Sequence, residues 1–162
     1  MKQVISASRR TDIPAFHLKW FMQKIKDQKV EVVNPFNRKQ VREVSLNPRE
    51  VAWIVFWSRN YGKFLQHHKY FHYYRCFLHF TINPAHQLLE PDMISPGQAL
   101  KQLEKLVKLF GPAVITWRYD PLVHYRRNGK IESNHSPQQF ENYARIIGQM
   151  GLKRCYISLA FL

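Results

Sequence analysis

Short apolar segments alternate with amphipathic segments along the whole chain, and this alternation is the strongest constraint on its fold. Extended segments are predicted at residues 4–8, 31–34 with 40–46, 53–57, 73–82, 113–118 and 155–161. Helices with one apolar face are predicted at residues 14–26, 60–68, 99–110 and 137–150. Strands separated by helices or crossovers indicate βα units that share a parallel sheet.

Six units in 162 residues average about 27 residues each, close to the roughly 31 of a closed eight-unit barrel. We therefore predict a single α/β domain over residues 1–162, a partial (β/α) barrel of about six parallel strands that is TIM-barrel-like and open or incomplete. The chain stops where a seventh unit would begin. Two alternatives remain open: the chain is truncated, or it is complete at six units. The open sheet edge would be covered by a missing C-terminal half or by a second copy in a homo-oligomer.

Three local signatures predict helix starts, at residues 47–50, 95–98 and 136–139. Each begins with Asn or Ser, continues with Pro and ends with Glu or Gln three residues after the first position. The first side chain can accept from the free backbone amides of a helix start, and proline is well tolerated at the first helical position.

Charge is the unusual quantity in the composition. Lys and Arg number 25 against 11 Asp and Glu, a net charge of +14, which favours polyanionic partners such as nucleic acid. The N-terminus lacks the apolar region of a signal peptide, and the longest apolar run, residues 51–57, is far below the ~20 residues of a membrane helix. A cytoplasmic protein without membrane contact is predicted.

No metal site is predicted from the sequence. Two cysteines, Cys76 and Cys155, are too few for a site with four cysteine ligands, and both lie inside predicted strands. His68 and His72 have helical spacing, but no third ligand appears at a recognisable distance along the chain.

Ligands of parallel α/β folds bind beyond the carboxyl ends of the strands. The predicted substrate-binding set comprises polar residues at these ends, namely Arg9, Arg10, Thr11, Asn34, Arg59, Asn60, Thr81, Arg118 and Tyr119. Guanidinium groups stay charged and donate paired hydrogen bonds, so they suit a carboxylate or phosphate. Asp12 and Asp120 are the predicted catalytic acid–base pair. In the structural alternative, Arg9, Arg59 and Arg118 pair with Asp12, Asp120 and Glu90 and simply close the mouth of the barrel.

Four motifs in order resemble the bacterial domain-of-unknown-function family 1848 over essentially all of residues 3–160. They are ISASRRTDIPAF at residues 5–16, NPFN at 34–37 followed by QV at 40–41, IVFWSRN at 54–60, and WRYDP at 117–121. The resemblance implies a TIM-barrel-type protein. Longer members end in a cysteine cluster similar to that of radical S-adenosylmethionine enzymes, which implies a four-iron cluster and S-adenosylmethionine for those chains. This sequence lacks that cluster, so neither cofactor is expected here.

The leading hypothesis is that the chain is the N-terminal barrel portion of such an iron–sulfur enzyme, with an anion-binding pocket at the strand ends. One alternative is a basic nucleic-acid-binding module, for which affinity would fall steeply with salt. The other is a truncated fragment without activity. The basic residues are spread along the chain, so a nucleic-acid surface requires several clusters to coincide in space.

Overall fold

The computed structural model describes residues 2–160. Its helices and strands, in chain order, are β1 (Gln3–Ser6), α1 (Leu18–Asp27), β2 (Lys29–Val33), β3 (Val41–Ser45), β4 (Val51–Ser58), α2 (Gly62–His67), β5 (Cys76–Thr81), α3 (Pro96–Phe110), β6 (Ile115–Leu122), β7 (His124–Arg127), β8 (Lys130–Ser133), α4 (Pro137–Gln149) and β9 (Cys155–Leu159). A π-helical turn, Ile13–His17, precedes α1.

Five parallel strands form one sheet in the order β1, β4, β5, β6, β9, and the sheet curls into about half a barrel. All four strand pairs are parallel. The carboxyl ends of the five strands therefore lie at the same edge of the sheet. Among residues 2–160, no helix is long and apolar enough to cross a membrane.

The prediction of six parallel strands is corrected to five. The predicted second strand, residues 31–34 with 40–46, forms the antiparallel hairpin β2–β3, which is a separate two-stranded sheet. The connection is too short for a parallel crossover, which needs a dozen residues or more. Side chains of Asn34 and Asn37 accept from the amides of Phe36 and Lys39 at 3.0 and 3.1 Å and hold the turn.

A second hairpin, β7–β8, lies between β6 and α4, where no strand was predicted. Its two central residues, Asn128 and Gly129, have φ values of 50° and 77°. Positive φ at both central positions is what a two-residue hairpin turn requires, and Asn-Gly is its common sequence. The Asn128-Gly129 dipeptide is therefore the sequence feature from which this hairpin could have been predicted.

One face of the sheet is covered by the helices, and alternate strand residues point to it. Phe56 on β4 is fully buried and packs edge-on against Phe21 of α1 and Phe64 of α2, with ring centroids 5.6 and 5.3 Å apart. Trp117 on β6 stacks on Phe140 of α4 at 5.3 Å. We call the opposite side of the sheet the open face, because no helix packs on it among the described residues.

The apolar face predicted for residues 14–26 is only partly correct. Phe21 and Ile25 are buried, but Phe16 and Trp20 are 73% and 48% exposed. The π-helical turn over residues 13–17 changes the rotation per residue before α1 begins, so the pattern of a single regular helix does not apply there.

Candidate functional site

Asp120, near the carboxyl end of β6, is the centre of a polar cluster built from three neighbouring strands. Its carboxylate oxygens accept from Nε of Arg118 at 3.0 and 3.1 Å, and Arg118 Nη2 completes a two-pronged ion pair. Ser158 Oγ on β9 donates at 3.2 Å and Thr81 Oγ1 on β5 at 3.5 Å. The Asp120 side chain is only 10% exposed, so the ion pair lies largely out of water.

The backbone carbonyl of Asp120 is a second hydrogen-bond acceptor in this cluster. It accepts from Nη2 of Arg59, which follows β4, and from Nδ2 of Asn83, which follows β5, both at 3.0 Å. Arg59 Nη1 also pairs with Glu90 in the loop after β5. Arg59 thus links three elements at the carboxyl edge. Arg59 and Arg118 are both engaged with acidic residues, as the structural alternative expected, whereas Arg9 pairs with no carboxylate among residues 2–160.

Asp12 joins the loop after β1 to the end of β4. One carboxylate oxygen accepts from the amide of Ala15 at 2.9 Å and begins the π-helical turn. The other accepts from Ser58 Oγ at 2.9 Å and from the amide of Arg59 at 3.1 Å. Burial raises the pKa of Asp12, although these hydrogen bonds oppose the shift. Because Asp12 holds the backbone of Arg59, it acts as a positioning residue for that guanidinium.

The structure does not bring all predicted residues to this cluster. Arg9, Arg10 and Thr11 are exposed, and Arg10 Nη1 donates to the carbonyl of Val33 at the end of β2, at 2.7 Å. These three residues border an open groove of about 1330 Å³ between β1 and the β2–β3 hairpin. They form an outer part of the carboxyl edge, separate from the Asp120 cluster.

Three other predicted residues have local structural contacts. Asn34 lies in the β2–β3 turn, where its side chain bonds to Gln40 at 2.7 Å. Asn60 Oδ1 accepts from the amide of Gly62 at the start of α2, at 2.9 Å. Tyr119 is 1% exposed and packs on the helix side of β6. Tyr119 is buried because side chains alternate between the two faces of a strand. Its neighbours Arg118 and Asp120 point to the open face, so Tyr119 points to the helix side.

The predicted site set omitted Ser58, Asn83, Glu90 and Ser158, each of which bonds to Asp12, Asp120 or Arg59. Ser58, Asn83 and Ser158 lie at or near strand ends, so their chain position was a usable signal. Glu90 was named only among the acidic residues of the structural alternative, and no sequence pattern assigned it to Arg59, since the loop that carries it has no regular periodicity.

Aromatic side chains of the open face form a wall beside Arg118. The Arg118 guanidinium lies over the Trp57 ring at 5.4 Å, and the His79 ring is 5.5 Å from Trp57 and 5.9 Å from Tyr156. Trp57 Nε1 and His79 Nδ1 are buried and have no hydrogen-bond partner among the described residues. Burial, with the nearby charge of Arg118, lowers the pKa of His79 to about 4. The His79 ring is therefore uncharged at neutral pH.

The His79 shift predicts a pH dependence of stability. The pKa of the His79 ring is 6.5 in the unfolded chain and about 4 in the folded protein. Between these two values the unfolded chain binds a proton that the folded protein does not, so the free energy of unfolding falls as the pH drops through this window. Allowing for solvent screening of a half-buried ring, we expect a loss of about 1 kcal/mol between about pH 7.5 and about pH 5. Urea unfolding of the wild type and of His79→Gln at both pH values measures it. An equal pH dependence in the two proteins would contradict the assignment.

The donor set of residues 2–160 does not fit an iron–sulfur cluster. Such clusters are held by several closely spaced cysteine thiolates. Cys76 on β5 and Cys155 on β9 are separated by β6, and burial raises their thiol pKa values to about 12 and about 11. Within the same residues, no group of three or more His, Cys, Asp or Glu side chains is arranged to hold a metal ion. We therefore derive no chemical step through such a cluster.

Comparison with family models supplies an independent classification. The model described as "Domain of unknown function (DUF1848)" matches residues 4–162, which is nearly the whole chain. Comparison with curated proteins and with solved structures found no match. The chain thus belongs to the domain-of-unknown-function family DUF1848.

Proposed function

We propose that this chain supplies the substrate-binding part of an enzyme active site, in which the anionic group of a small molecule binds beside Asp120. The observation that carries the proposal is the convergence of Thr81, Arg118 and Ser158, from three parallel strands, on one nearly buried carboxylate. This is the edge of the sheet at which parallel α/β enzymes bind their substrates.

Stabilisation of the fold does not by itself account for this polar cluster. A buried ion pair loses hydration on both partners, and apolar residues of similar size often stabilise a fold equally well or better. Groups with perturbed pKa values are instead concentrated at functional sites, and His79, whose pKa is lowered by burial and by the charge of Arg118, lies beside this cluster. The polar cluster at the carboxyl edge therefore favours a binding or catalytic role over a purely structural one.

The guanidinium of Arg118 has donors left for a ligand. Arginine carries five N–H donors, and the Asp120 pair uses those on Nε and Nη2. Nη1 has no hydrogen-bond partner within residues 2–160, and the Arg118 side chain is 24% exposed. A carboxylate or phosphate can bind there, with a planar group against the aromatic wall of Trp57, His79 and Tyr156. Asp120 is then placed to accept a proton from a hydroxyl or amine of the bound molecule.

Under this proposal the role of the chain in radical chemistry is limited to the pocket. The family resemblance implies an iron–sulfur cluster and S-adenosylmethionine for longer members, and the residues described here contribute no thiolate ligands to such a cluster. What they contribute is the anion site, the aromatic wall and a carboxylate for proton transfer.

Inorganic phosphate is a suitable first probe of this site. At a concentration about ten times a millimolar-range Kd, phosphate should stabilise the fold by about 1.4 kcal/mol and raise Tm by about 3–5 °C. The measurement is a thermal melt in phosphate against chloride of equal ionic strength. The double variant Arg118→Met/Asp120→Asn, which removes the ion pair without leaving a lone charge, should lose this response.

Two controls identify the site of binding. Lys108→Met removes one exposed cation on α3 that pairs with Glu104 and should keep the full phosphate response. Arg38→Ala/Lys39→Ala, at the tip of the β2–β3 hairpin, should keep it too. If the Arg118/Asp120 double variant responds as the wild type does, or if neither phosphate nor acetate stabilises the wild type, the proposed anion site is wrong.

A further inference from the structure

Two hairpins carry exposed cations to the same edge of the sheet. We name eight exposed Arg and Lys residues of the β1 loop and of the two hairpins the basic rim: Arg9, Arg10, Arg38, Lys39, Arg42, Arg126, Arg127 and Lys130. They come from three separate chain segments, which the tertiary structure places along one edge of the sheet.

The position of each hairpin follows from specific contacts. Arg10, just after β1, donates to Val33 at 2.7 Å, which places the β2–β3 turn beside the carboxyl end of β1. The β7–β8 hairpin directly follows the carboxyl end of β6. Asn134 fastens its base, accepting from the amide of Val123 and donating to the carbonyl of Pro121, both at 2.9 Å. Because β1 and β6 are parallel members of one sheet, the turn of the β2–β3 hairpin and the β7–β8 hairpin both lie at its carboxyl edge. The base of the β2–β3 hairpin, where the carbonyl of Ser45 accepts from Gln3, lies at the amino end of β1.

The basic rim has more cations than the carboxylates beside it can compensate. The segments 32–42 and 121–131 contain no acidic residue. Three glutamates lie just outside these segments. Glu43 pairs with Lys29, and Glu132 accepts from the Tyr125 hydroxyl at 2.8 Å, while Glu31 is exposed beside the groove. Asp12, Glu90 and Asp120 are bonded to partners within the cluster described above. None of the eight rim cations pairs with a carboxylate among residues 2–160. Eight like charges on one edge repel one another and attract a polyanion.

Exposed aromatic rings lie among these cations. Phe36, in the β2–β3 turn two residues before Arg38, is 98% exposed. Phe16, in the turn that follows the Arg9–Asp12 loop, is 73% exposed. The groove between β1 and the hairpin is bordered by Phe36 and by Arg9, Arg10 and Arg42. Cations that follow a backbone, combined with rings on which bases stack, are the features by which proteins bind single-stranded nucleic acid.

We propose that the basic rim binds single-stranded nucleic acid, with Arg and Lys on the phosphates and at least one base stacked on Phe36. The proposal goes beyond the anion site beside Asp120 and uses different residues. Phosphate contact alone would also fit a double helix or an anionic membrane. The solvent-exposed ring at the hairpin tip favours unpaired bases, because only an unpaired base offers its face for stacking.

The test is fluorescence anisotropy of the whole chain with a labelled single-stranded DNA of about 15 nucleotides, a length within the range that one small domain covers. If about five rim cations contact phosphates, the slope of log affinity against log salt is about −3.5, so affinity falls about 100-fold between 50 and 200 mM salt. Arg38→Ala/Lys39→Ala should reduce the steepness of that slope by about 1.4. Phe36→Ala should weaken binding about fivefold or more at both salt concentrations and leave the slope unchanged.

The matched control is Lys101→Ala/Lys105→Ala, which removes the same number of charges from the exposed side of α3 and should change affinity less than about twofold. Thermal melts confirm that each variant is folded. An equal loss in the α3 and hairpin variants, or no effect of Phe36→Ala, would overturn the proposal. So would equal or tighter binding to duplex DNA or to phosphatidylserine vesicles. Arg118→Met/Asp120→Asn should bind DNA normally, which separates this result from failure of the anion site.

Discussion

Replacing Asp120 with alanine should lower the free energy of unfolding by about 3 kcal/mol, near the lower end of the range for breaking a buried ion pair. The substitution leaves Arg118 with an uncompensated charge in a site where its side chain is 24% exposed. It also removes the acceptor for Thr81 and Ser158. Urea unfolding monitored by tryptophan fluorescence measures the loss.

Two variants separate the charge from the rest of the side chain. Asp120→Asn keeps an acceptor oxygen and should lose less, about 1–3 kcal/mol. Adding Arg118→Met to Asp120→Asn should recover part of that loss, because the lone cation is gone. Asp92→Ala, at an exposed position in the loop after β5, should stay within about 0.5 kcal/mol of the wild type. If Asp120→Ala matches Asp92→Ala, the cluster does not hold the strand ends together.

Replacing Phe56 with alanine should have an effect at least as large, about 3–5 kcal/mol. Phe56 is fully buried and its ring contacts Phe21, Phe64 and Phe71, with centroids 5.6, 5.3 and 5.5 Å away. The substitution leaves a cavity among three rings that are themselves held by two helices and a helical turn, so little relaxation is available to fill it. Urea unfolding again gives the change.

Phe36→Ala is the matched control, since it removes the same ring at a position 98% exposed. It should change the free energy of unfolding by less than about 0.5 kcal/mol. The contrast between the two phenylalanines tests the placement of the core directly. A large loss for Phe36→Ala, or a small one for Phe56→Ala, would show that the side of the sheet packed by the helices has been misassigned.

The elements with strong local signals agree with the sequence-based prediction. The Ser95 and Ser136 signatures both begin helices, and Ser95 forms the full reciprocal cap with Gln98. The related signature at Asn47 forms only a turn, because β4 begins at Val51 and leaves no length for a helix. The same local chemistry therefore starts a helix only where an apolar face follows that can pack on the sheet.

The site shows the same division between local and tertiary information. Parallel strands place their carboxyl ends together, so the sequence was sufficient to bring Arg59, Arg118 and Asp120 to one edge. It was not sufficient to pair Arg59 with Glu90, because that contact depends on the path of an irregular loop. Tyr119 was assigned to the site by its position in the chain, and strand alternation places it in the core.

By itself, the sequence determined where the helices and the five strands of the main sheet lie, because apolar periodicity and capping act over a few residues. It also determined the excess of positive charge. Only the tertiary structure decided that the second extended segment is a hairpin outside the sheet. Only the tertiary structure decided which cations pair with Asp120 and Glu90. It also decided that basic residues from three chain segments lie along one edge of the sheet. These outcomes depend on contacts between residues far apart in the chain, which no local pattern encodes.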